Sequence, residues 1–277
     1  MPSESRPEIS LKPVNGWHCR HQFYRFDRAR LLDLDPARRA AGRQEFLAAL
    51  DPAAPGAPLR LQTFVVAGQK ADFGLLLLDP DPLAAGAVHH RLMSGPWGPA
   101  LVPAWSFVSL TEVSEYVPTP ERYGQRLVND GLDANSEEFA AKLAAYQRRL
   151  EIMRRQRLTP DLPAWPAICF YPMNKKRKVG ENWFLLDVAE RERLMSEHGE
   201  SGMKFGGKVT QLITAAMGLD DWEWGVTLWA RNPEFLKDIV YRMRFDEASA
   251  RYAEFGPFYA GYLAPAAAIL DHCRVAE

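Results

Sequence analysis

The chain has 277 residues, 47% hydrophobic and 25% charged, with a formal net charge of -1. That suits one or two globular domains with a sizeable core and gives no overall field for nucleic acid or an anionic membrane, so any anion must be recognised by a local cluster. Cys19, Cys169 and Cys273 are far apart and in no CxxC pair, residues 1–13 lack a signal peptide's apolar core, and no apolar run is long enough to span a bilayer, so the expected setting is the cytoplasm.

In chain order, residues 17–26 form an aromatic-rich predicted strand. Asp35-Pro36 opens a helix through Phe46 and Leu50, with proline in the first turn, where a missing N–H is harmless. Two β-rich runs, 61–67 and 73–78, flank a short loop as in a hairpin. A helix over 82–93 and an alternating strand over 106–116 complete the first set. His18 and His21 share the opening strand with Cys19, to pack or face solvent, and His89-His90 reads as a solvated helix face.

The order returns after residue 166: a strand over 167–173, a helix from Asp187 to His198, strands over 209–215 and 222–229, a long helix over 233–253, and a strand over 258–263. Both halves also share a strand, a polar turn and a proline at the next helix start, at 75–82 and 226–233. This is two ferredoxin-like βαββαβ units, an α+β fold in which each antiparallel sheet carries helices on one face and turns the other towards its twin, as a pseudo-twofold barrel. The predicted domains are an N-terminal repeat over 1–116, a helical connector over 117–166 and a C-terminal repeat over 167–277. The connector's amphipathic helix, 137–157, spaces Phe139, Leu143, Tyr146 and Leu150 along one face and ends with Arg157 towards a pocket.

The chemistry gathers in the second half. The strand 167–173 stops its apolar run at Pro172, leaving Tyr171 at its end with Lys175, Lys176 and Arg177 beyond. A tyrosine beside three cations suits an anionic ligand, although these lysines also suit a solvated turn. The next helix is capped by Asp187 and stops at Gly199, which puts His198 at its C-terminus. Such a histidine either enjoys the helix's negative end or binds a metal or haem. The glycines at 199, 202, 206 and 207 match no phosphate loop, and no Gly-x-Ser-x-Gly elbow is present. Trp222 and Trp224 share one strand face, which reads as core.

From about Gly16 to Leu263, with several segments keeping the spacing, the chain resembles the coproheme decarboxylases of the chlorite dismutase superfamily. The resemblance rests on Cys-Phe-Tyr-Pro-Met-Asn-Lys-Lys-Arg from Cys169, on His198-Gly199, on Arg-Leu-Thr-Pro from Arg157, on Gln211, and on the run from Tyr241 to Tyr252 that carries Arg242, Arg244 and Ser249. It implies a chlorite dismutase-like fold with Tyr171 as redox-active tyrosine, Met173 and Lys175 lining the pocket, His198 as the proximal iron ligand, and Gln211 as the distal glutamine. It also implies that Arg157, Arg244 and Ser249 hold porphyrin carboxylates. Met203 in His-Gly-Glu-Ser-Gly-Met departs from relatives with arginine there, and the segment between Tyr116 and Arg157 is longer than in compact members.

By the same resemblance, Fe-coproporphyrin III (coproheme) is both substrate and redox centre, hydrogen peroxide is the oxidant and haem b the product. Tyr171 becomes a radical that removes hydrogen from the propionate at position 2, carbon dioxide leaves, and the propionate at position 4 reacts in a second round. Lys175 orients or proton-serves a propionate. Gln211 and Met173 are not strong bases, which fits a slow, specialised peroxide user. The implied assembly is a homopentamer, with transient contact to the ferrochelatase of the same pathway. Two alternatives stand beside it: a chlorite dismutase, whose pattern wants arginine where Gln211 stands, and a haem carrier or sensor, which would not need Tyr171.

Overall fold

The computed structural model describes residues 9–275; the ends of the two predicted repeats, residues 1–8 and 276–277, lie outside it. The first half runs β1 (His18–Phe26), α1 (Arg28–Asp33), α2 (Pro36–Ala49), β2 (Arg60–Val66), β3 (Phe73–Asp79), α3 (Pro82–Ser94) and β4 (Leu101–Thr111). The connecting stretch carries α4 (Pro120–Asn129) and α5 (Glu137–Leu158). The second half begins with β5 (Ala167–Lys175), a small hairpin of β6 (Arg177–Lys178) and β7 (Glu181–Asn182), and α6 (Val188–Met203). It continues through β8 (Val209–Ala215), β9 (Trp224–Ala230), α7 (Pro233–Met243), α8 (Glu247–Tyr252), β10 (Ala253–Phe255), β11 (Tyr259–Leu263) and α9 (Ala266–His272).

Each half folds as its sequence pattern requires. Asp81 accepts a hydrogen bond from the Leu83 amide at 2.9 Å and Asn232 one from Glu234 at 2.9 Å, so the shared polar turn before proline is the same helix cap twice. Strand order is β4-β1-β3-β2 in the first half and β11-β5-β9-β8 in the second, the ferredoxin-like arrangement. The halves join edge to edge, β2 on β11 and β4 on β8, and the β5–β9 pairing closes the sheet into a barrel, with β10 set on the side of β5. Closure leaves few unpaired edges.

The barrel interior is aromatic, with Phe23, Phe64, Phe107, Phe170, Trp229 and Tyr259 in one cluster. Leu76 and Leu78 point into it, whereas Leu75 and Leu77 pack under α2 and α3, so β3 is buried on both faces and reads as an unbroken apolar run. His21 is wholly buried here, stacked on Phe170 at 3.8 Å, with Nε2 2.7 Å from the Thr227 hydroxyl and Nδ1 without a partner among the described residues. Burial pushes its pKa down to about 3.

Several predicted boundaries move. β4 covers 101–111 rather than 106–116; β8 pairs with it only at Leu110 and Thr111, so Pro103 forfeits no bond on that side, and residues 112–116 are irregular. α6 continues past Gly199 to Met203, because a helical glycine costs only about 1 kcal/mol and no other feature breaks the chain there; the positive φ of 75° falls at Gly207. His198 is therefore inside the helix and not at its C-terminus. The long helix predicted over 233–253 is broken before Asp246, whose side chain accepts from the Ser249 amide at 2.9 Å and starts α8. β5 runs on to Lys175, which leaves Tyr171 in mid-strand. α1, α4, α9 and the β6–β7 hairpin are additions to the sequence reading, although α4 segregates its apolar and charged residues to opposite faces.

Candidate functional site

Register sets one wall of the site. Along β5, β9 and β8 the partners Cys169, Leu228 and Gln211 form one row, Tyr171, Val226 and Ile213 the next, and Met173, Trp224 and Ala215 a third, all on the face away from the barrel interior. The opposite wall is α6, whose Arg191, Met195 and His198 lie at i, i+4 and i+7 and so share a face. Between the walls is a cavity of about 440 Å³, which α5, α7, α8 and residues 112–117 close at its sides. Arg157, Tyr171, Met173, Lys175, His198, Gln211, Arg244 and Ser249 all line it. A neighbouring cavity of about 410 Å³ shares Met153, Arg157 and Gln211 with the first, so the space continues along β8.

His198 is held from behind. Its Nδ1 is 3.1 Å from the buried Asp246 carboxylate and 3.3 Å from the Ser249 hydroxyl. A carboxylate only accepts, so Nδ1 carries the proton and Nε2 is left as a free lone-pair donor. Burial alone would raise the Asp246 pKa, but the bonds from His198 and Ser249 outweigh it and hold the carboxyl below its ordinary range. The break between α7 and α8 thus both caps α8 and aims the imidazole.

Tyr171 is buried, its ring stacked on Phe258 at 4.5 Å, and its hydroxyl makes no hydrogen bond among the described residues. Burial raises its pKa, so the phenol is neutral at physiological pH. Lys175 turns its ammonium onto the Trp183 ring, 3.9 Å from the centroid, and burial pulls its pKa down to about 8 against the opposing pull of Asp246 and Glu223. Arg157 and Lys175 make no ion pair among the described residues, and the Nε of Arg191 is buried without a partner. Arg244 lies over Phe255, 4.0 Å from the ring centroid. Four cations thus converge on one cavity, whose wall also carries the apolar Met153, Ile213, Val240 and Met243 and the acidic Glu112 and Glu115. Burial disfavours the charge of Arg157, so a ligand that brings anionic groups would restore what folding removes.

The rest of the predicted basic cluster is engaged elsewhere: Lys176 pairs with Glu181 at 3.2 Å and Arg177 with Glu223 at 3.1 Å. Arg242 and Met203 are exposed and do not line the cavity. Arg191, Trp183, Trp224, Asp246, Glu112 and Tyr116 join the site without having been singled out for it from the sequence. Arg191 was within reach, since two helical turns separate it from His198; Trp183 opens a single 3-10 turn and residues 112–116 are irregular, so no period points to them. Glu112 is half-buried, and burial first, then Glu115, raises its pKa against a bond from Trp224.

The donor set suits an iron porphyrin with carboxylate arms. A backed imidazole faces the cavity, much of the wall is apolar, and cations that make no ion pair among the described residues stand around it.

A family model described as chlorite dismutase matches residues 39–264. A heme-binding protein from Thermus thermophilus is 34% identical, the match covering 95% of this chain and 96% of that one, with a TM-score of 0.75. Chlorite dismutase from Candidatus Nitrospira defluvii in complex with imidazole is 16% identical over 96% of this chain and 98% of its own, with a TM-score of 0.70, and a mutant of that enzyme in complex with cyanide matches equally. At that identity the second likeness bears on the fold.

Proposed function

The chain belongs to the chlorite dismutase family, and we propose that it is a coproheme decarboxylase, which uses hydrogen peroxide to turn two propionates of Fe-coproporphyrin III into vinyl groups and so makes haem b. The observation that carries this reading is the cavity itself, in which a buried tyrosine with an unengaged hydroxyl and a carboxylate-backed histidine share walls with four cations. A haem with two propionates needs fewer cations, and a carrier has no use for Tyr171. The heme-binding relative at 34% identity supports the porphyrin part of the reading.

The iron porphyrin, held through His198, supplies the two-electron oxidation by peroxide. Arg157 and Arg244 would bind carboxylates by charge-assisted hydrogen bonds and so fix which propionate meets Tyr171, whereas the Ser249 hydroxyl, engaged with His198 and Asp246, would have to leave them to reach one. Tyr171 gives up an electron and its phenolic proton, then takes a hydrogen from the propionate β-carbon. The substrate radical so formed would give up a second electron as carbon dioxide leaves, and the two electrons together would match the reduction of one hydrogen peroxide. Each round converts one propionate, one hydrogen peroxide and one proton into a vinyl group, carbon dioxide and two waters, so the site must deliver a proton as well. Lys175, whose burial weakens its hold on a proton, is the donor this chemistry calls for. Gln211 and Met173 line the cavity without acting as bases.

Incubation of the chain with coproheme and stepwise peroxide, followed by porphyrin mass, tests the proposal. Loss of one and then a second carboxyl is expected; unaltered coproheme after peroxide would refute it, and oxygen evolution from chlorite at comparable efficiency would favour a chlorite dismutase. We also propose, as the resemblance implies, a homopentamer and a transient contact with ferrochelatase, and a monomer in light scattering would remove the first.

A further inference from the structure

The Lys175 side chain has an unusual partner for a desolvated cation. Its ammonium sits over the face of a buried indole, and no carboxylate of the described residues is within ion-pair distance. Trp183 is itself held on several sides. Its ring meets Tyr116 at 6.2 Å and Tyr252 at 5.6 Å, both edge-on, and its backbone N–H donates to the Lys176 carbonyl at 3.0 Å. On the lysine side, the Lys175 N–H donates to Glu223 at 2.9 Å, and the Glu223 N–H donates to Asn174 at 2.8 Å. Both ends of the cation–π contact are thus fixed by main-chain bonds, and the contact lies on the cavity wall.

Resting on the reading above, we propose that Trp183 is the positioning residue of Lys175: the indole face keeps the lysine as a dehydrated ammonium at the cavity wall, ready for a porphyrin carboxylate. An exposed lysine would have to shed water before meeting the carboxylate, whereas one paired to an acidic side chain would have to break an ion pair. A π-face does neither, since it attracts the cation without a counter-charge to be displaced. The attraction acts only on the charged form, so the indole also opposes the loss of the proton that burial favours. Once the ammonium has given its proton to the reaction, the neutral amine is no longer attracted to the ring and is free to swing out for another.

The test is made on the full chain, without porphyrin in its first arm. Competitive labelling with acetic anhydride across pH, read by peptide mass, gives the titration midpoint of Lys175. In Trp183→Leu that midpoint should fall by about one pH unit, and in Trp183→Phe by less, because a benzene ring binds a cation more weakly than an indole. Loss of a purely structural tryptophan would leave it unchanged or, by admitting water, raise it, and either result counts against the proposal. In the second arm, binding of metal-free coproporphyrin III, read by fluorescence, should weaken about tenfold in Trp183→Leu. An unchanged Lys175 midpoint in both variants overturns the proposal, and Trp183→Phe alone decides if Trp183→Leu does not fold. A shifted midpoint with unchanged coproporphyrin affinity also overturns it, because the ion would then be held for something other than a carboxylate. The decarboxylase reading is judged separately, by product masses from the unsubstituted chain.

Discussion

Replacing Tyr171 by phenylalanine removes one oxygen and nothing else from the cavity wall. The ring keeps its stacking on Phe258 and its place between Cys169 and Met173 on β5, and the hydroxyl has no hydrogen bond among the described residues to lose. Stability should therefore change by less than about 1 kcal/mol, a shift of a few degrees at most in the melting temperature. Metal-free coproporphyrin III should bind as before, since its carboxylates are met by the cations. Activity follows a different scale. If the phenol is the group that is oxidised, its loss removes the group that takes the propionate's hydrogen, and decarboxylation should fall more than about a thousandfold, equivalent to about 4 kcal/mol on the barrier. If Tyr171 merely packs, the rate should stay within about tenfold. The assay is porphyrin mass against peroxide added, with melting and binding on the same preparation. Monovinyl product forming at the wild-type rate would refute the radical role, whereas a variant that binds porphyrin and melts normally yet yields only bleached coproheme is the expected result.

His198→Ala should remove the histidine signature from the ferric spectrum of the loaded chain while leaving porphyrin bound through its carboxylates, and an unchanged five-coordinate histidine spectrum would overturn the assignment. Asp246→Asn keeps a good cap for α8 but withdraws the charge behind His198, so metalloporphyrin should be held about 10–100-fold less tightly with little change in the melting temperature. Lys175 in the folded chain loses its proton at about 8, so kcat/KM should decline above that pH, and Lys175→Met should abolish this alkaline limb together with most of the activity. The sign for stability is opposite: the unfolded lysine binds protons up to its ordinary value of 10.5, so the unfavourable contribution of the buried ammonium is greatest below pH 8 and is relieved between pH 8 and 10.5. His21, depressed to about 3, stays neutral in the barrel while the unfolded chain takes up a proton near pH 6.5, so going from pH 7 to 5 should destabilise the fold by about 2 kcal/mol, as read by urea titration, and His21→Leu should flatten that slope.

The fold was legible because the two halves repeat the same signals in the same order. Leu75 to Leu78 and Val226 to Trp229 are strands by composition, Asp81-Pro82 and Asn232-Pro233 are helix starts by cap chemistry, and their recurrence in one order carries the topology. What failed were stops. Gly199 lies in open space inside a helix, and nothing in its neighbourhood of sequence distinguishes it from a terminating glycine. Asp246 begins a new helix within what reads as a continuous amphipathic run, and only the structure shows that its second carboxylate oxygen meets His198. The cavity residues on regular elements, such as Tyr171, Met173 and Gln211, were reachable through strand period together with resemblance. Trp183 and Glu112 were not, since they enter from a short turn and from irregular chain whose position is fixed by tertiary contacts alone.

Register also shows how the twin repeat fills the corresponding space between its first long helix and the sheet. Tyr24 pairs with Phe73 on β3 as Met173 pairs with Trp224 on β9, Gln22 pairs with Leu75 as Tyr171 pairs with Val226, and Leu61 pairs with Leu77 as Gln211 pairs with Leu228. At the place of Tyr171 the first half has a buried glutamine that accepts a hydrogen bond from Tyr24, and at the place of Gln211 it has a leucine. Above this wall α2 brings Gly42 and Phe46, and Trp97 fills the gap so closely that a Cβ on Gly42 would overlap its indole. Phe26, Phe46, Phe73 and Trp97 then pack ring against ring, with centroids no more than 6.4 Å apart in each contact. In the second half the corresponding helix carries Arg191, Met195 and His198 on its inner face, long or polar side chains that line the edges of the space without filling it. The two halves share a backbone plan, and the difference between a packed core and a ligand cavity lies in a few side chains on one helix face and three strand rows.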